Sequence, residues 1–194
     1  MAHKRLNLAV LGVGRIGRDH ALTISKNKAA HLAAVADAMA DAANEVADQY
    51  GCSVRSIDEI SHQADIDGVI ICTPTDTHAD LIEQFARAGK AIFCEKPIDL
   101  SVDRVRACLA VVDECTVPLM LGFNRRFDAE MATLRQTVRS GSIGDIELVQ
   151  ITSRDPAPPP IGYIKVSGGI FRDMMIHDFD MARFILGEDP VSES

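Results

Sequence analysis

Leu6-Asn-Leu-Ala-Val-Leu-Gly-Val-Gly-Arg-Ile-Gly17 is the stretch that decides how the rest of the chain is read. Its first half, 6–11, is a nearly continuous apolar run, as a strand buried on both faces of a parallel sheet requires. Its second half is a G-x-G-x-x-G pattern that opens directly into a helical pattern over 16–25. In isolation three spaced glycines say little. Between a buried strand and a helix each glycine has its own use. Gly12 permits the tight turn, Gly14 lets backbone approach a pyrophosphate, and Gly17 lets helix and strand pack closely. The N–H groups of Arg15 and Ile16 at the helix start would face the phosphates. Asp37 ends the next strand, twenty residues after Gly17, where a carboxylate can accept both ribose hydroxyls. The same carboxylate would repel a 2′-phosphate, and Ala38 and Met39 offer no cation to offset it. NAD is therefore expected over NADP.

Outward from this turn, strand patterns at 6–11, 32–36, 69–71, 91–94 and 119–122 alternate with helical patterns at 16–25, 41–49, 76–88 and 102–114. Gly89 closes the third helix and Ser101 caps the fourth. Strands alternating with helices imply right-handed crossovers and a doubly wound parallel sheet, complete near Gly122. The expected division is a dinucleotide-binding domain over 1–121 and the start of a second, α+β domain over 122–194. The latter holds a helix at 128–138, a strand at 146–152, a proline-rich loop and a helix at 171–185.

The composition bounds the function. Twenty Lys+Arg against 28 Asp+Glu leave a net charge of −8, which argues against a nucleic-acid footprint. Five cysteines, an odd number without a C-x-x-C pair, suit reduced thiols in a cytoplasmic protein. The apolar stretch 6–14 is too short to span a membrane. No membrane or nucleic-acid partner is expected.

In an open α/β sheet ligands lie beyond the carboxyl ends of the strands. Two further strands end there in polar sequence. One leaves Thr73 and Pro74 in the crevice; Asp76 and Thr77 are expected to cap the next helix, with His78 structural. The other ends in Glu95-Lys96-Pro97, which holds a lysine at the ligand edge. In the last helix Met175, Phe179, Ala182 and Leu186 line one face, while Asp173, His177 and Asp180 form a polar stripe at i, i+4, i+7. Asp180 reads as a cap or as the partner of Arg183. On the helix alone a solvated edge is the better explanation of such a stripe; the lysine and the cofactor loop turn the reading to a site. A metal is not expected, because no third ligand stands at suitable spacing.

The pieces GVGRIG (12–17), CTPTDTH (72–78), CEKP (94–97), GFNRRFD (122–128) and SRDPAPPPIGYIKVSGGIFRDMMIHDFDMARFILG (153–187) resemble the NAD-dependent inositol dehydrogenases of the glucose–fructose oxidoreductase family. Together they span nearly all of residues 6–187. The resemblance implies a Rossmann domain that binds NAD, with Glu95 and Lys96 joining the glycine loop, Asp37, Thr73 and Pro74 at the cofactor. It implies catalytic roles for Lys96, Asp173 and His177, a cis Lys96–Pro97 bond, and substrate contacts at Asn124, Asp155, Asp173 and His177. The reaction implied is hydride transfer from a secondary alcohol of a cyclitol, a small polyol, to NAD. A pyranose dehydrogenase of the same family and a non-catalytic NAD-binding sensor or partner subunit remain as alternatives. In the family the second domain continues well past residue 194 as an open antiparallel sheet that floors the substrate pocket and supports homo-oligomer contacts. A fragment and a naturally short chain are both compatible with that.

Overall fold

The computed structural model describes residues 4–155, 157–159, 161–164 and 167–192, with the backbone alone at 163. It divides into two compact units, Met1–Gly122 and Phe123–Ser194.

The first unit is built on strands β1 (Leu6–Leu11), β2 (Ala30–Ala36), β3 (Ser53–Val54), β4 (Gly68–Ile71), β5 (Ala91–Cys94) and β6 (Leu119–Leu121). They form one sheet in the order β3-β2-β1-β4-β5-β6, and every pairing is parallel. Helices α1 (Arg15–Lys26), α2 (Ala40–Tyr50), α3 (Ile57–His62), α4 (His78–Arg87) and α5 (Val102–Cys115) make the crossovers. The order reverses direction at β1, with β2 on one side and β4 on the other. A crevice opens there at the carboxyl ends of the strands.

Alternation along β1 sorts the core into two layers. Ala9 and Leu11 join one cluster with Ile60, Ile71, Ile82, Phe85 and Ile92, whereas Val10 packs with Val13, Ala21, Ile24, Val35 and Val46 on the other face. Phe85, Ile60 and Ile82 are wholly buried. Each contributes about 1.5–3 kcal/mol by leaving water. Between α4 and α5, Arg104 pairs with both Asp80 and Glu83 and pins the two helices together. Hydrogen bonding to Arg104 holds the Glu83 carboxyl below its ordinary range.

The expected strands and helices of this unit appear within a residue or two of their sequence positions, and Gly89 and Ser101 stand at the helix ends as expected. Two elements are additional. The strand β3 is only two residues long, too short for an apolar period to mark it. The helix α3 begins at a capping box: Ser56 accepts from the Glu59 N–H, and the Glu59 carboxylate accepts from the Ser56 N–H. The S-x-x-E signature was there to be read. A further correction concerns Asp76 and Thr77. A 3₁₀ turn spans Thr75–Thr77, and neither side chain caps α4; the Thr77 hydroxyl turns back to the Pro74 carbonyl and the Thr73 hydroxyl.

The second unit contains α6 (Ala129–Arg139), α7 (Ile161–Ile164), α8 (Ile170–Asp173) and α9 (Met175–Leu186). Asp128 caps α6 by accepting from the Glu130 and Met131 N–H groups. The helix expected over 171–185 is broken at Met174, whose turn hands the chain from α8 to α9 through a tighter His177 N–H to Met174 carbonyl bond. The strand expected at 146–152 does not form. A strand exists only through a ladder partner, and among the described residues of this unit none pairs with it. Instead Ile146, Leu148 and Ile151 line an open groove of about 470 Å³ with Met175, Phe179, Ala182 and Leu186. Phe179 is 51% exposed, while Met181 and Ile185, on another face of α9, are buried. Among the described residues no helix is long and apolar enough to cross a membrane.

Candidate active site

The glycine turn joins β1 to α1 at the crevice. Gly12 has φ +83°, and a Cβ there would stand 2.7 Å from the Cys72 carbonyl oxygen. Gly17 is more constrained still, since its Cβ would lie 1.9 Å from the Gly12 oxygen. Both positions need glycine for the fold itself. Gly14 differs: nothing lies within 4 Å of where its Cβ would be, and its φ of −64° suits any residue. Its missing side chain leaves an open cradle at the start of α1. The first intrahelical bond runs from Arg18 N–H to the Gly14 oxygen, so the Arg15 and Ile16 amides precede it and point out of the helix start. This is the geometry that accepts a phosphate. Arg18 braces the turn by donating from Nε to the Val13 carbonyl while its other end pairs with Glu45.

Asp37 stands just past β2. One carboxylate oxygen accepts the Val13 N–H at 2.6 Å and the other the Met39 N–H at 2.8 Å. Two ionised oxygens offer about four lone-pair directions, so acceptor capacity remains for vicinal hydroxyls. The residues at this crevice fit a dinucleotide. Replacing Asp37 with alanine is expected to weaken NAD⁺ binding about 10- to 100-fold, the worth of hydrogen bonds to a charged acceptor. NADP⁺ is expected to lose less, because the repulsion leaves with the carboxylate. Calorimetric titration of both dinucleotides checks this; equal losses would remove Asp37 from the ribose.

At the ends of β4 and β5 the first unit gathers Thr73, Pro74, Glu95 and Lys96. The Lys96–Pro97 bond is cis, in agreement with the resemblance. Glu95 turns its carboxylate to His20 of α1, with Oε1 2.8 Å from Nε2, and covers Gly122, where a Cβ would meet Glu95 Oε2 at 2.7 Å. The His20 ring meets Phe93 edge-on at 5.0 Å. Burial pushes the neighbouring Cys72 thiol up to about 12, with the Glu95 charge adding to it, so this sulfur stays protonated at neutral pH.

In the second unit Asp173 ends α8 and His177 lies in the first turn of α9, both half-buried. The His177 ring meets Phe123 edge-on, centroids 6.3 Å apart and planes at 87°. The two arginines after Asn124 anchor α9. Arg125 donates to Asp178, which also accepts from Ser153, and Arg126 makes a two-pronged pair with Asp180 at 2.8 and 2.5 Å. Asp180 is only 6% exposed, so it is a structural anchor; its partner is Arg126, and Arg183 pairs instead with Asp189. Asn124 and Asp155 are exposed. Sequence inspection missed His20 as a contributor to the first unit's edge; His78, expected to be structural, is buried there. His78 had a signal, since it shares the i, i+4, i+7 stripe of Ile82 and Phe85 and so had to point inward. Among the described residues no group of three or more His, Cys, Asp or Glu side chains is placed to hold a metal.

A parallel sheet in this order, with a glycine cradle at the switch point and an acid closing β2, defines a dinucleotide-binding domain. Residues 6–123 match the oxidoreductase family with an NAD-binding Rossmann fold, residues 131–194 match the GFO/IDH/MocA C-terminal domain, and the chain belongs to this family. It is 64% identical over 187 residues to inositol 2-dehydrogenase of Rhizobium meliloti, covering 96% of this chain and 57% of that protein. Among solved structures it is similar to a myo-inositol dehydrogenase from Corynebacterium glutamicum, with TM-score 0.88 and 46% identity over 93% of this chain and 54% of that one. It is also similar to a scyllo-inositol dehydrogenase from Lactobacillus casei with bound NAD(H) and scyllo-inositol, with TM-score 0.88 and 33% identity over 96% and 57%. The chain thus spans little more than half the length of these relatives.

Proposed function

We propose that this chain supplies the cofactor-binding and proton-handling parts of an NAD-dependent cyclitol dehydrogenase, acting on myo-inositol or a close relative. One observation carries the reading: a chain with the complete dinucleotide crevice also holds Lys96 at that crevice and the Asp173/His177 pair on its later helices. The names of its relatives give the substrate class.

Oxidising a secondary alcohol removes a hydride from carbon and a proton from oxygen. NAD, when bound, is the hydride acceptor, and the residues handle the proton and the charge. His177 in its neutral form takes the hydroxyl proton. Asp173, four residues earlier, holds a substrate hydroxyl and steadies the imidazole. Lys96 donates a hydrogen bond to the oxygen as negative charge develops there. Asn124 and Asp155, both exposed and polar, bind further ring hydroxyls. Turnover of NAD⁺ against a panel of cyclitols and pyranoses tests the reading. Preference for a cyclitol is expected; preference for glucose would move the substrate to a pyranose, and binding without turnover of any polyol would make this an NAD-binding module.

A further inference from the structure

His78 is a buried polar side chain that the proposed chemistry does not use. It is the first residue of α4 and only 2% exposed. Its Nδ1 lies 2.7 Å from the Pro97 carbonyl oxygen, and its Nε2 lies 2.7 Å from the Thr73 carbonyl oxygen. Those carbonyls belong to the two segments that leave β4 and β5 at the crevice. The last ladder bonds below them are Cys72 N–H to Leu11 oxygen and Glu95 N–H to Ile71 oxygen. Past that point one rigid ring spans from one segment to the other. Both partners are part-buried acceptors, so the ring links the two only with a proton on each nitrogen, and a desolvated carbonyl without a donor is costly. An apolar residue of similar size would fill the volume and leave the two segments unlinked.

The position of this link along the cofactor follows from the sheet. Asp37 just past β2 takes the adenosine ribose and the glycine turn beside β1 takes the pyrophosphate, so the nicotinamide half extends toward β4 and β5. We propose that His78 is a positioning residue for the nicotinamide half: it holds the Thr73–Pro74 and Lys96–Pro97 segments at one spacing, and so fixes the backbone that carries Lys96. This rests on the cofactor reading above. The adenosine half is held by β1, α1 and the end of β2, whereas the His78 ring bonds to the segments after β4 and β5.

The test compares NAD⁺ with ADP-ribose, which has the same adenosine and pyrophosphate but no nicotinamide. In calorimetric titrations of this chain, His78→Gln is expected to weaken NAD⁺ about five- to tenfold, the worth of one hydrogen bond, and to leave ADP-ribose within about twofold. Equal losses for the two ligands, or no loss for either, would overturn the proposal. The unmodified chain gives a measurement independent of the variant's folding. The His78 ring nitrogen resonances are expected to shift on addition of NAD⁺ and to stay in place with ADP-ribose; resonances that ignore NAD⁺ would equally overturn it. If the unmodified chain bound neither ligand, the cofactor assignment itself would fall, and this inference with it.

Discussion

Alanine in place of His177 is expected to lower the rate of alcohol oxidation about 10²- to 10⁴-fold, the usual worth of a placed base, while NAD⁺ affinity stays unchanged. That range corresponds to about 2.7–5.5 kcal/mol of activation free energy. The two effects separate because the cofactor crevice lies in the unit ending at Gly122, and His177 in the unit beginning at Phe123. The substitution also loses the edge-on contact with Phe123, but Arg125–Asp178 and Arg126–Asp180 still anchor α9. A suitable vehicle is a fusion at Gly187 to the remainder of the Rhizobium meliloti relative, which matches this chain over 187 residues. Oxidation by the fusion should rise with pH as the imidazole loses its proton and then level off. His177→Ala should flatten that profile. Lys96→Ala should also slow turnover, yet keep the low-pH limb, because it removes charge stabilisation and leaves the base. An unchanged rate in His177→Ala would return the Asp173/His177 stripe to an ordinary helix edge.

The second large effect lies in the glycine turn, where two substitutions of the same size should both weaken NAD⁺ but differ in their cost to stability. In Gly17→Ala the new methyl would meet the Gly12 carbonyl at 1.9 Å, and backbone cannot rotate out of the way as a side chain can. The strand-to-helix turn must open. A cost of about 3 kcal/mol or more is expected, with melting lowered on the order of 10 °C and NAD⁺ binding lost. In Gly14→Ala the methyl enters open space at an ordinary φ, so the melting temperature should hold. NAD⁺ affinity should nevertheless fall by about tenfold or more, since the methyl occupies the cradle where backbone and phosphate would meet. Thermal melts paired with titrations check both variants. If Gly14→Ala kept full affinity, the cradle would not be the phosphate site.

The first unit was legible because its signals are local and redundant. The run 6–17 declares strand, turn and helix in twelve residues, and the continuous apolar runs at β4 and β5 repeat the message. The capping box at Ser56 was equally local but went unread. The second unit was harder, for a physical reason. The segment 146–152 has a strand's composition, but a strand is a relation between segments, and its partner cannot be read from its own residues. The break at Met174 is a single tightened turn without proline or glycine to announce it. Arg126 and Asp180 are 54 residues apart, so that pair was invisible to a reading by helical spacing, which proposed Arg183 instead. The roles of Lys96, Asp173 and His177 came from resemblance; spacing alone favoured a solvated edge for the stripe.

Myo-inositol carrying deuterium at C2, oxidised by the fusion in the presence of NAD⁺, tests the central claim most directly. The label is expected to appear in the reduced nicotinamide, transferred from the alcohol carbon without exchange into water, and to depend on His177 and Lys96. Binding of NAD⁺ with no reduced nicotinamide formed from any cyclitol, or formed without the deuterium, would contradict it.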